Sequence, residues 1–388
     1  MRSISAFVCF SLLATPTMAL SQSIQHPVTT LDGRVLPVAA VDSVVRNAMA
    51  RERVPGLAIA IINHGEVAYL RAFGERSTET REPLSTRSTM YAASFTKTMF
   101  AYLVMQLADE HLLDLDRPVV SYTGPLDTVA KWSDLASDER HRRITTRMLL
   151  SHTSGFANFR FLNSGGKLLI NFEPGSRYAY SGEGLNFLQY VVERIAGTSL
   201  TTLMRDKVFV PLGMTGTSMV WDSTFAVDLA AGHDSSGKVI GHARRSAPRA
   251  AGSADTNIED MARYLVAIIR GRSLSRESFS AMLTPQIRIR SAHQFPTLDV
   301  LTTTRDDGIK LSYGLGWGLL ESPYGRAFFK EGSDDITRNH MIAFDGVQSG
   351  MIVMSNSGRG DLVFPQLFAT LLGDRFSPWA WDGLAPAP

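Results

Sequence analysis

Two kinds of hydrophobic pattern alternate along this chain, and they occupy different regions of it. Val41, Val44, Val45, Ala48 and Met49 recur at helical spacing, and Pro55-Gly56 ends that pattern. Residues 57–62, Leu-Ala-Ile-Ala-Ile-Ile, form a continuous apolar run, which predicts a strand buried on both faces. Asn63, His64, Gly65 and Glu66 are turn material, and residues 67–74 predict the return strand of a hairpin. A helix through Phe100, Leu103, Val104, Leu107 and Ala108 follows. It is apolar around much of its surface and is expected to run through the interior.

From about residue 114 to about residue 243 strand runs vanish, and helical periods with Gly and Pro punctuation take over. Residues 148–155 read as a helix end with a glycine stop, and residues 185–196 as a helix after the Pro174-Gly175 turn. Residues 211–214 close a further helix, and residues 250–255 read as a loop before a capped helix over 258–269. Beyond it, residues 315–320, 326–330, 339–344 and 350–355 predict antiparallel strands, and residues 362–372 a closing amphipathic helix. The chain is therefore expected to be α+β. Residues 20–113 and 244–388 build one antiparallel sheet from both chain ends, flanked by helices. Residues 114–243 form an inserted, mainly helical domain, with a cleft between the two parts.

Composition changes this picture little. At 388 residues the chain suits one large domain or two closely joined ones. A net charge of +2 gives no argument for nucleic acid. Arg2, the apolar residues 4–13 and Thr17-Met18-Ala19 read as an export signal over residues 1–19, cleaved near Ala19. The run is too short for a stable membrane anchor, so a periplasmic or extracellular protein is expected. Cys9, the only cysteine, falls inside this leader, which excludes disulfides, thiol catalysis and cysteine-ligated metal from the mature chain. There is no Gly-x-Ser-x-Gly elbow, no His-Glu-x-x-His helix and no glycine-rich phosphate loop, and no metal or cofactor is expected.

The candidate chemistry starts at Ser94-Phe95-Thr96-Lys97. Residues three apart on a helix share a face, which places Lys97 beside the Ser94 hydroxyl. That hydroxyl needs a proton acceptor to become nucleophilic, and a lysine with a depressed pKa can serve. Taken singly, the motif also fits a capping serine before a solvated lysine. Tyr180 likewise fits a packing tyrosine, and Lys330 a snorkelling strand lysine.

Ser94-Phe95-Thr96-Lys97, Tyr180-Ser181-Gly182 and Lys330-Glu331-Gly332-Ser333 occur in that order. Together they resemble the serine β-lactamase and penicillin-binding-protein superfamily. With Leu149-Leu150-Ser151-His152-Thr153-Ser154-Gly155, the chain is similar to its branch of class C β-lactamases, esterases and D-aminopeptidases, from about Val41 to Leu372. The resemblance implies a β-lactamase/transpeptidase-like fold and a small-molecule or peptide-like acyl substrate. Ser94 would be the nucleophile and Lys97 the centre of proton transfer. Tyr180 would act as phenolate or hydrogen-bond relay, its pKa depressed by Lys97 and Lys330. The backbone N–H groups of Ser94 and Ser333, the latter on an edge strand, would form an oxyanion hole. Gly332 would let substrate approach the strand. His152 is expected to be a structural helix-end residue, and Asp334-Asp335 solvated or paired with arginine.

Two departures bear on substrate. Gly182 stands where relatives carry Asn, with Glu183 or another side chain the expected compensation. Glu331 stands where Thr or Ser is usual, and a glutamate there would repel a substrate carboxylate unless protonated or paired. Ester or amide hydrolysis with weak β-lactam turnover is the expectation. The alternatives are a D-aminopeptidase that reads a substrate amine through Glu331, and a non-catalytic cell-envelope binding protein. The basic stretch 286–293 is expected to be an exposed loop or part of the cleft rim.

Overall fold

Eight antiparallel strands form the central sheet of the protein, seen in a computed structural model that describes residues 24–385. The leader lies outside the described residues. In chain order the strands are β1 (Gly56–Asn63), β2 (Glu66–Gly74), β3 (Ile287–Arg288), β4 (Ser312–Tyr313), β5 (Gly318–Ser322), β6 (Gly325–Ser333), β7 (Arg338–Phe344) and β8 (Ser349–Ser355). In space they run β2-β1-β8-β7-β6-β5-β4-β3. The first hairpin thus pairs with the last strand, Ile61 opposite Met351, and both chain ends complete one sheet.

Strand β1 shows why its sequence is continuously apolar. Ala58, Ala60 and Ile62 enter one buried cluster, and Leu57, Ile59 and Ile61 enter another on the opposite face. Neither face meets water, and each buried Ile or Leu contributes roughly 1.5–3 kcal/mol relative to exposure. Helices α1 (Val38–Glu52) and residues 360–372 share the second cluster, whereas α2 (Phe95–Asp109) and a helix over Ile258–Ile269 share the first. Every residue of α2 from Phe95 to Leu107 is buried, so this helix does pass through the interior. The closing helix is not uniform: it runs as a 3-10 turn (Gly360–Val363), an α turn (Phe364–Leu367) and a π turn (Phe368–Leu372), and Gly373 at φ 82° ends it.

The intervening stretch carries short 3-10 segments, a short helix (Thr146–Leu150) and a longer one over Gly182–Ala196, capped by Ser181. It is not free of strands, because Gly232–His233 pairs with Val239–Gly241. Asp255–Thr256, expected as loop, pairs with Met90–Tyr91. The basic stretch 286–293 is not a cleft rim. Its Ile287–Arg288 forms the far edge of the sheet, and Arg288 and Arg290 pair with Asp307.

Strand β6 lies inside the sheet, not at its edge as expected. Pairing with β5 stops at Phe329 opposite Gly318, while pairing with β7 continues to Ser333. Residues 330–333 therefore have a neighbour on one side only. That local opening, not a sheet edge, gives the site its free strand.

Candidate active site

The serine is delivered by a tight turn. Ala93, a non-glycine residue, takes φ 46°, and Ser94 follows at the N-terminus of α2. Phe95, Thr96 and Lys97 donate to the carbonyls of Ala92, Ala93 and Ser94. That leaves the Ser94 N–H outside the helix ladder. Asn339 Nδ2 donates to the Tyr91 carbonyl (3.0 Å) and fastens this turn to β7. The pairing of Met90–Tyr91 with Asp255–Thr256, extended by Ala92 N–H to Ala254 O (2.9 Å), carries the 250–254 segment to the same place.

Lys97 is almost fully buried, with Nζ 2.9 Å from Ser94 Oγ and a hydrogen bond to the Ala251 carbonyl. Burial, reinforced by the charge of Lys330, holds its pKa well below the ordinary lysine value. Both effects shift Lys97 toward the neutral amine relative to a solvated lysine.

Tyr180 stands just before the Gly182–Ala196 helix, buried, with Lys97 Nζ and Lys330 Nζ each 4.8 Å from its ring centroid. Its hydroxyl makes no hydrogen bond of full geometry, although Ser94 and Lys330 are near enough to pull its pKa down. Burial outweighs them and holds the phenol above its ordinary value. Of the two roles expected for Tyr180, phenolate or hydrogen-bond relay, this favours the protonated phenol, because the charge of Lys330 does not overcome desolvation. His152 supports it from beneath. Its ring lies 4.5 Å from that of Tyr180, and Nδ1 accepts the Ser181 N–H at 3.1 Å. Burial, then the charges of Lys97 and Lys330, hold this histidine well below its usual pKa, so it is neutral.

Lys330 is fully buried. Its Nζ donates to the Glu331 carbonyl (3.0 Å) and pairs with the Glu331 carboxylate, whose Oε1 also accepts Gln294 Nε2 at 2.7 Å. Burial opposes both charges, but Glu331 raises the pKa of Lys330 and Lys330 lowers that of Glu331. The pair stays ionised. Glu331 is thus paired, the condition under which it would not repel a substrate carboxylate, and its carboxylate is engaged by both Lys330 and Gln294.

Gly332 makes room for the start of α2. A Cβ there would lie 2.8 Å from Ala92 O, 3.1 Å from Phe95 N and 3.2 Å from Ser94 N. Only glycine lets the first turn of α2 rest on β6. The peptide directions follow from the ladder. Arg326 O accepts from Asp345, and Asp334 N–H donates to Thr337 O, so even-numbered peptides of β6 face β7. The odd-numbered Ser333 N–H therefore points the other way, past the end of β5.

Gly182 N–H donates to Asn158 Oδ1 (2.9 Å), and a Cβ at 182 would meet Asn158 O at 2.9 Å and Oδ1 at 3.1 Å. Asn158 fills the space that a larger residue at 182 would need. Glu183 does not replace the missing amide, because it is held by Arg160 at 2.9 Å. Asp334 caps a turn, accepting from Ile336 N–H (3.0 Å).

These groups surround one cavity of about 630 Å³, lined by Ser94, Lys97, Tyr180, Gly182, Glu331 and Ser333. Asn158, Asn186, Arg249 and residues 295–297 are also among its lining residues. Sequence reasoning passed over Asn158 and Gln294 because no local pattern marks a loop amide whose partner is supplied by a distant segment. Among the described residues no group of three or more His, Cys, Asp or Glu is placed to hold a metal ion, and no helix is long and apolar enough to cross a membrane.

A family model described as Beta-lactamase matches residues 41–369. Lovastatin esterase of Penicillium rubens (strain ATCC 28089 / DSM 1075 / NRRL 1951 / Wisconsin 54-1255) is 27% identical over 206 residues, 45% of this chain and 51% of that protein. Esterase EstB of Burkholderia gladioli is 28% identical over 203 residues, 45% of this chain and 50% of that protein. The chain spans about half the length of these curated relatives. Among solved structures, the octameric penicillin-binding protein homologue from Pyrococcus abyssi superimposes with a TM-score of 0.71 at 23% identity, over 89% of this chain and 80% of that one. At that identity the likeness is one of fold.

Proposed function

This chain belongs to the Beta-lactamase family, and from that premise we propose that it is an acyl-serine hydrolase acting on esters or amides, with Ser94 as nucleophile and Lys97 as general base. The observation that carries the reading is the 2.9 Å approach of Lys97 Nζ to Ser94 Oγ, with the amine buried and its pKa lowered by burial and by Lys330. A solvated helix lysine would have neither feature.

In this reading Lys97 takes the Ser94 proton as Oγ bonds to the substrate carbonyl carbon. The oxyanion is held by the N–H groups of Ser94 and Ser333, each worth about 3–4 kcal/mol in the transition state. Tyr180, neutral and lying between the two lysines, passes the proton from Lys97 to the leaving alcohol or amine as the carbonyl–heteroatom bond breaks. Water then attacks the acyl-enzyme, giving up its proton to Lys97, and the serine hydroxyl is restored as the acid leaves. β-Lactam turnover is weak in this proposal, because Glu331 offers no hydroxyl to a substrate carboxylate and holds Lys330 in an ion pair. A non-catalytic binding role is disfavoured by the buried, desolvated Lys97, which a binding site does not need.

The test is labelling and kinetics together. A fluorophosphonate is expected to add one adduct to wild type and none to Ser94→Ala. p-Nitrophenyl esters are expected to be turned over far faster than nitrocefin. Labelling of Ser94→Ala would remove the assignment of the nucleophile. We also propose that residues 1–19 direct export, which a secreted product beginning near residue 20 would support and an intact cytoplasmic chain would refute.

A further inference from the structure

The mouth of the Ser94 cavity is aromatic to a degree that its chemistry does not require. Phe159, Phe161, Leu162 and Phe295 all line it and all are at least 48% exposed, Phe161 reaching 71%. Exposed large apolar residues gathered around a cleft mark a binding surface more often than scattered ones do. Other exposed hydrophobics, Val35, Val227 and Ile240 among them, lie outside this lining.

The wall is held in place. Phe159 and Phe161 stack with centroids 5.1 Å apart and planes 8° from parallel. Arg160, between them in sequence, turns the other way. Its guanidinium pairs with Glu183 at 2.9 Å, donates to the Lys131 carbonyl at 3.1 Å and lies 5.5 Å over the Trp132 ring. Anchoring the middle residue inward presents its two aromatic neighbours outward. Phe295, from a different segment, meets the Tyr180 ring edge-on at 5.7 Å. The apolar wall therefore begins one ring away from the proton relay.

We propose that this wall receives the apolar body of the substrate, so that the preferred substrates are esters of bulky, uncharged acyl groups or alcohols. The proposal rests on the acyl-serine reading above and adds the substrate class to it. Water leaves both surfaces when an alkyl or aryl group lies on stacked phenylalanines, and the gain grows with the length of the group.

The experiment compares kcat/KM for p-nitrophenyl octanoate and acetate, and for octyl and ethyl acetate, in wild type, Phe161→Ser and Phe295→Ser. The wild-type preference for the longer member is expected to be at least tenfold in one of the two series. Each substitution is expected to reduce that ratio about tenfold, with little change in thermal melting for Phe161→Ser. A ratio unchanged by both substitutions, or no wild-type preference in either series, overturns the proposal. Sedimentation provides a competing outcome: a wild-type dimer that Phe161→Ser dissociates, with the ratio unchanged, would assign the wall to self-association and overturn it too. Loss of Ser94 labelling in wild type would instead strike the underlying reading, so the two failures are distinguishable.

Discussion

Replacing Lys330 by methionine offers a direct measure of how the two lysines share the site. If unprotonated Lys97 is the base, kcat/KM rises with pH as Lys97 loses its proton, and the acid limb of the profile marks its pKa in the free enzyme. Lys330 is the largest charge acting to lower that pKa, after burial itself. Both Nζ atoms lie 4.8 Å from the Tyr180 ring centroid, so no more than twice that distance, about 9.6 Å, separates them. With an effective dielectric constant of about 20, two unit charges at that separation repel by about 1.7 kcal/mol, and by more if closer. That is a shift of about 1.3 pH units. Lys330→Met should therefore move the acid limb upward by at least about one unit, whatever it does to the plateau. The unpaired Glu331 left behind acts in the same direction, because a carboxylate favours protonated Lys97. Glu331→Gln alone should move the limb down, and the double variant should fall between the two. The assay is kcat/KM against pH with a neutral p-nitrophenyl ester, whose own charge does not change over the range. A limb that stays fixed in Lys330→Met, or moves down, would refute the assignment of the base.

Two further outcomes follow from burial and packing. Lys97→Met should abolish turnover yet stabilise the fold by about 1–2 kcal/mol near neutral pH in urea unfolding, since it removes a desolvated amine. The sign is set by a folded pKa below the unfolded one: the unfolded chain binds the extra proton, so wild-type stability rises with pH through that window. The advantage of Lys97→Met should accordingly narrow as pH approaches the ordinary lysine value and widen below it; a gap independent of pH would mean that Lys97 is charged in the folded protein. Gly332→Ala should destabilise by about 1–3 kcal/mol, because its Cβ would meet backbone atoms of Ala92, Ser94 and Phe95. Unchanged urea stability together with unchanged kcat would show that the first turn of α2 does not rest on β6 as described.

Much of this arrangement was legible because it is local or periodic. The Ser94–Lys97 contact needs only three residues of helix, and β1 reads as a doubly buried strand because its six central residues are all apolar. The Ile258–Ile269 helix was legible at both ends, with Asn257 accepting the Asp260 N–H at its start. What the sequence concealed is of another kind. Strands of two residues, such as β3, β4 and Asp255–Thr256, are too short to show a period. Their hydrogen bonds are fixed by the segments beside them. The local opening of β6 depends on where β5 stops, which β6 itself does not encode.

Charge was the hardest property to read, because a sequence names ionisable groups without saying how dry they are. Two buried lysines flank Tyr180, and taken alone they suggest a depressed phenol, while the sequence left open whether Glu331 is paired. Desolvation reverses that inference, and Gln294 with Lys330 supplies the pairing of Glu331. The physical consequence is a division between the lysines. Glu331 stabilises the charge on Lys330, and that charge, added to burial, favours the neutral form of Lys97. Two like groups in one site are thereby pushed in opposite directions from the ordinary lysine value, as a base and a fixed positive charge would require. Glu331, which departs from the usual Thr or Ser, is placed to set this asymmetry through its ion pair with Lys330.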